Sequence, residues 1–308
     1  MTTEPGGAHA HSDDPRNAGV RVYVNGSLVP RDEAVVSVFD SGFVFGDGVW
    51  EGLRVYEGHP AFLDDHLDRL YEGAAAIALD IGRSRTELTE ALYETLAAND
   101  MADGVHVRLM VTRGVKPTLY QDPRLASGQA TLVIVPEFKV PSQESVTLFT
   151  GPVRRASPDV LDPKLNVHSK LPDITAGLAA YAAGADEALM LDPHGFVATC
   201  NSTHFFIVRR GEVWTSTGDY CLAGITRANV LKVCAEAGIV VREKNFSLTE
   251  VYSAQEAFVT GTFGGVMPVR EIDGRAIGDG ERPVMTRIRE LYGELVRRDV
   301  AARAETRR

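Results

Sequence analysis

"EALMLDPHGFVATC", residues 187–200, sets a short apolar run, the turn formers Asp192 to Gly195 and a second apolar run side by side, and this spacing predicts two antiparallel strands turning at Gly195. The next stretch, "HFFIVRRGEVWTS" (204–216), repeats the pattern around Gly211. Outward from these hairpins, a strand is expected over 145–153 and an alanine-rich helix, opened by Pro172, over 172–183. After "GITR" (224–227) the spacing predicts a helix closed by Gly238. "EAFVTGTFGGVMPV" reads as a strand and loop, and a last helix begins near Pro283 and frays into "AARAETRR".

The first half has its own signals. Asn25-Gly26 in "RVYVNGSLVP" predicts a tight hairpin. Leu63, Leu67, Leu70, Tyr71, Ala74 and Ala75 recur at helical spacing, and Ser84 with Glu87 forms a capping box before a second helix. "VHVRLMVTRG" and "TLVIVPEFKV" return to strands, and period-2 alternation in the former sends His106 and Arg108 to one face. The two prolines of "PEFKVPSQES" mark an interlobe linker near residue 140. Together these imply an α+β chain divided into a tail (1–19), a small N-terminal lobe (20–139), a larger C-terminal lobe (140–298) and a charged tail (299–308).

A formal charge of −10 over 308 residues and a pI near 5.3 argue against nucleic acid or an anionic membrane as partner, since either would need a basic face, and point to small-molecule chemistry. No apolar run reaches a membrane span. Cys200, Cys221 and Cys234 have neither disulfide nor metal-ligand spacing, and "MTTEPGGAHAHSDDPRN" lacks the regions of a signal peptide, so a reduced, cytoplasmic setting and no metal are expected.

Three motifs are each compatible with plain structure. "GITR" offers Gly224, Ile225 and Thr226 at a helix start, where free N–H groups and the helix dipole attract anions. "TGTFGG" (260–265) is a small hydroxyl-bearing loop after a strand, and Arg69 lies on the first long helix. In order along the chain, "FDSGFVFGDGVWEGLRVYEG" (39–58), "HLDRL" (66–70), "AGADEALMLDPHGFV" (183–197), "LAGITR" (222–227) and "FVTGTFGGVMPVREIDG" (258–274) make residues 22 to about 296 resemble the fold-type IV pyridoxal-phosphate enzymes. These include branched-chain and D-amino-acid aminotransferases, (R)-selective amine transaminases and aminodeoxychorismate lyase. The resemblance implies a two-lobed fold, a homodimer, and pyridoxal 5'-phosphate or pyridoxamine 5'-phosphate as cofactor. It gives the phosphate to Arg69, Ile225, Thr226 and Thr262, places Trp50 in a substrate cavity, and makes Arg108 a candidate partner for a substrate carboxylate.

The departures from the family pattern concern chemistry. Thr118 and Tyr120 stand where D-amino-acid aminotransferases carry an Arg and a His. Thr199 replaces the glutamate that keeps the pyridine nitrogen protonated, and His204 stands where an asparagine is often found. Counting from both flanking motifs, the position of the Schiff-base lysine falls on Asn166, whose amide cannot form an imine with an aldehyde. Lys164, two residues earlier, would share its side in a regular strand, His168 would lie on the same face, and Lys170 is expected at a helix start. The expected function is amino-group transfer between a small amino acid and a keto acid. The alternatives are a lyase or isomerase in the same cofactor pocket without a lysine link, or a non-catalytic binder of a phosphorylated ligand.

Overall fold

The structure, a computed structural model, describes residues 14–142 and 144–307. The chain separates into two compact units. The N-terminal unit runs through Val140 and also holds Leu165–Ser169 and the chain from Asp299 onward; the C-terminal unit holds Pro141–Lys164 and Lys170–Arg298.

The N-terminal unit contains β1 (Arg21–Val24), β2 (Ser27–Pro30), α1 (Ser41–Phe45), β3 (Gly48–Tyr56), β4 (His59–Pro60), α2 (Leu63–Ala76), α3 (Arg85–Ala97), β5 (Val105–Thr112) and β6 (Thr131–Phe138). Its six-stranded sheet has the order β2-β1-β6-β5-β3-β4, every pairing antiparallel. Asn25 and Gly26 take φ of +51° and +100°, as a two-residue hairpin requires. Ser84 and Glu87 close the capping box on α3. Alternation along β3 and β5 sends Val49, Leu53, Val55, Val105, Val107, Leu109 and Val111 into a core with Leu63, Leu67 and Leu70 of α2 and Leu88 and Leu92 of α3. Full burial of each such aliphatic side chain contributes about 1.5–3 kcal/mol.

Both tails are more regular than the sequence suggests. Pro15–Gly19 forms a 3-10 helix capped by Asp14, and the Asn17 amide exchanges hydrogen bonds with the backbone of Phe138 (2.9 and 2.8 Å). Residues 1–13 of the expected tail lie outside the described residues. At the other end the last helix continues to Thr306, and there Asp299 accepts the Phe62 N–H at 2.7 Å while Arg303 and Arg307 pair with Asp64 and Glu90.

The C-terminal unit contains β7 (Val146–Arg154), α4 (Leu171–Ala182), β8 (Glu187–Leu191), β9 (Val197–Cys200), β10 (His204–Arg209), β11 (Glu212–Thr215), α5 (Ile225–Glu236), β12 (Val241–Glu243), α6 (Leu248–Tyr252), β13 (Glu256–Gly261), β14 (Gly265–Ile272), β15 (Arg275–Ala276) and most of α7 (Pro283–Thr306). Its nine-stranded sheet runs β12-β11-β10-β13-β14-β7-β8-β9, with β15 on β14. It is mixed: β7 lies parallel to β8 and β14, β11 parallel to β12, and the remaining pairs are antiparallel. Every residue of β8 is buried, and β10 is buried except at Arg209, so these central strands read as continuous apolar runs rather than as alternation.

Candidate functional site

In the C-terminal unit the candidate anion site is the start of α5. Gly224 is its N-cap and supplies no side-chain cap, so the first N–H groups of the helix have no cap acceptor. Thr226 is buried there, and Thr262 follows the end of β13. Two further polar groups of this unit are sealed from solvent without a partner: Asn229 Nδ2, one turn into α5, and Thr260 Oγ1 on β13. Arg227 turns aside, donating to Ser216 O at 2.7 Å and to Glu243 at 2.8 Å. Gly224 is required by crowding: a Cβ here would fall inside contact distance of Nε2 and Cδ2 of His204, a ring 8% exposed at the start of β10. A phosphate dianion suits this donor set, which combines backbone N–H groups, hydroxyls and a helix dipole.

Thr199, buried on β9, donates its hydroxyl hydrogen to Thr203 O at 2.8 Å. Towards any ring nitrogen it therefore presents lone pairs and no proton. Thr203 in turn donates to Glu187 Oε2 at 2.8 Å, and both side chains are buried.

In the N-terminal unit, the Glu51 carboxylate lies on the inward face of β3 and is 1% exposed. It accepts from Arg69 Nε and Nη2 at 2.8 and 2.7 Å and from His66 Nδ1 at 2.6 Å. Burial alone would raise its pKa, but the hydrogen bonds and charge of His66 and Arg69 reverse this and hold it below the ordinary carboxylate value. The fork fixes the plane and the Nε edge of the Arg69 guanidinium. The outward face of the same sheet carries Trp50 and Arg108, with the guanidinium 4.2 Å from the indole centroid. The charge acting on Arg108 is that of Glu137, on neighbouring β6.

Residues 165–169 add themselves to β3. Val167 bridges to Val49, Trp50 N–H donates to Asn166 O at 3.0 Å, Trp50 Nε1 to Val167 O at 3.1 Å, and His168 N–H to Gly48 O at 3.0 Å. The Asn166 side chain is 5% exposed; its Nδ2 donates to Trp50 O at 2.5 Å, and its Oδ1 is buried with no partner. Burial lowers the His168 pKa below its usual value, against hydrogen bonds to Val49 and Val111 that raise it, so the ring is neutral at neutral pH.

One expectation fails here. Lys164 does not share a strand face with Asn166: it stands exposed in a turn whose shape is set by Asp162 Oδ1 accepting the Lys164 N–H at 2.9 Å. Lys170 is the residue before α4. Thr118 is half-buried and Tyr120 exposed. Sequence reading passed over the buried groups. Lys116, 1% exposed, donates to Tyr120 O at 3.1 Å and lies 5.0 Å from the Phe45 ring centroid. Glu51 and His66 were detectable, since Glu51 interrupts the inward row Val49, Leu53, Val55 and His66 interrupts the apolar stripe of α2.

An α+β chain whose nine-stranded mixed sheet carries an uncapped helix start beside small hydroxyl residues is the kind of protein that grips a phosphorylated ligand. The chain belongs to the class IV amino-transferase family, matched over residues 48–272. It is 38% identical over 280 residues to a putative branched-chain-amino-acid aminotransferase of Methanocaldococcus jannaschii, covering 90% of this chain and 96% of that protein. It is 41% identical over 285 residues to branched-chain-amino-acid aminotransferase-like protein 2 of Arabidopsis thaliana, where 91% of this chain spans only 51% of the relative's length. Among solved structures it is similar to the branched-chain aminotransferase of the thermophilic archaeon Thermoproteus uzoniensis with norvaline, at 33% identity and a TM-score of 0.82, covering 90% of this chain and 94% of that one. The fold is that of these fold-type IV relatives.

For the family's cofactor, the start of α5 fits the phosphate end; Asn166, in the other unit, is an amide clasped to Trp50.

Proposed function

We propose that this chain binds pyridoxal 5'-phosphate or pyridoxamine 5'-phosphate and transfers an amino group between a small amino acid and a keto acid. The observation that carries this is the uncapped start of α5 at Gly224, Ile225 and Thr226, with buried unpartnered Asn229 and Thr260 in the same unit. When bound, such a cofactor supplies an electron-accepting ring that holds the amino group in transit. The chain's part is to bind and orient. The N–H groups of Ile225 and Thr226 and the hydroxyls of Thr226 and Thr262 hold the phosphate, and Thr199 offers a lone pair to a protonated ring nitrogen. In the N-terminal unit, Arg108, spread on Trp50, is a guanidinium suited to a carboxylate.

We infer further that the chain is a homodimer in a reducing compartment. Exposed apolar side chains support the first: Val35, Val38 and Phe43 are 75%, 63% and 69% exposed, as are Leu171 and Leu178 of α4 at 70% and 60%. The three free, buried cysteines support the second.

The test is a single-turnover reaction. Protein loaded with pyridoxamine 5'-phosphate is mixed with pyruvate, 2-oxoglutarate or a branched-chain keto acid, and the amino acid formed is measured by mass spectrometry. About one equivalent per chain from at least one keto acid is expected. No amino acid from any of them, with the ligand demonstrably bound, sinks the transfer reading and leaves a binder.

A further inference from the structure

We propose that α4 is the helix through which this chain meets a second copy of itself: two copies pack α4 on α4, antiparallel, about a two-fold axis. This rests on the homodimer reading above and names the face it uses. The spacing of exposed apolar residues carries the inference. Leu171, Ile174, Leu178 and Tyr181 are 70%, 56%, 60% and 59% exposed, and they follow one another at intervals of three, four and three residues. That is the seam by which one helix packs on another. It reads the same in both directions about residue 176, so an antiparallel copy lays Leu171 on Tyr181 and Ile174 on Leu178, each pair formed twice. An isologous contact demands this self-complementarity. The other face of α4 is already used, since Ala176 and Ala180 are buried with Ala188 and Met190 of β8.

Charge selects the occupant. The only charged residue of α4, Asp173, is largely buried against Arg155 at 2.5 Å, and the seam is flanked by exposed Pro172, Thr175 and Ala182. An acidic or basic partner finds nothing to pair with on this face. Two copies that each carry a formal charge of −10 repel one another, and an uncharged face is where they can approach. The four side chains offer on the order of 500 Å² per chain, about 1,000 Å² for two copies, which reaches the lower bound of a specific interface. Antiparallel packing also sets the two helix dipoles head to tail.

The experiment is sedimentation velocity on the full chain over a micromolar dilution series, with two variants at exposed positions, Ile174→Lys and Leu178→Glu. The native chain is expected at twice its 33.4 kDa mass. Either variant alone sets an unpaired charge on the seam and should weaken dimerisation by roughly 100-fold or more, with circular dichroism unchanged. Mixing the two variants should restore the dimer. In the mixed pair the introduced lysine faces the introduced glutamate, while the second contact, Leu178 on Ile174, stays native. A dimer untouched by either variant, or a mixture that stays monomeric, overturns the proposal and leaves the homodimer reading standing. A native chain that sediments as a monomer overturns both.

Discussion

Replacing Glu51 by glutamine removes one negative charge from the interior of the N-terminal unit and leaves its two partners in place. The Arg69 side chain is 12% exposed and that of His66 2%, so neither gains water in exchange. The glutamine amide would turn N–H hydrogens toward groups that are themselves donors at 2.6–2.8 Å. Breaking a buried pair from one side costs about 3–5 kcal/mol, and this arrangement belongs in that range. The two tryptophans lie one in each unit, so a Trp214→Phe background makes Trp50 fluorescence report urea unfolding of the affected unit. Because the Glu51 pKa is depressed in the folded state, its contribution is complete above the unfolded value of 4.5 and fades as pH falls through the lower folded value. The difference between native chain and variant should therefore be constant at neutral pH and shrink on acidification. Adding Arg69→Met should cost less than the sum of the two single changes, as expected for residues in contact. A loss below about 1 kcal/mol, or a difference that grows in acid, would refute the reading of Glu51 as the ionised hub of this cluster.

Gly224→Ala should lower stability by about 1–3 kcal/mol through the clash with His204, and weaken inorganic phosphate binding at α5; His204→Ala should recover much of the stability, and full stability of the single variant would contradict the close approach. Burial pushes the thiols of Cys200 and Cys221 up and that of Cys234 up to about 11, so Ellman's reagent at pH 8 should find no reactive thiol until the chain is unfolded, when all three should react; native labelling would refute this.

Local chemistry made much of the fold legible. Asn25-Gly26, the Ser84–Glu87 box, and Gly238 at φ +69° after α5 each act within a few residues, and a sequence displays them. The apolar row of β5 and the polar face with His106 and Arg108 follow from alternation alone. What stayed hidden was decided far away in the chain. In a regular strand Lys164 would share the side of Asn166, yet the hydrogen-bond partners of residues 165–169 are Gly48 to Trp50, more than a hundred residues earlier, and the turn at Pro163 and Lys164 cancels the parity that would aim that lysine. Of the candidate residues, the glycine, threonine and asparagine positions can be counted along the chain. The commitments of their donors, Thr199 to Thr203 O and Asn166 to Trp50 O, depend on which carbonyl folding brings near.

The membership of the N-terminal unit bears on how the protein is made. This unit is begun first on the ribosome, yet its β3 waits for residues 165–169 and the N–H of Phe62 waits for Asp299. It is therefore completed last, after every strand of the C-terminal sheet has been synthesised. Until residues 165–169 are made the edge of β3 along Gly48 to Trp50 is open, and a nascent chain stalled short of them would present it to whatever strand or chaperone lies nearest.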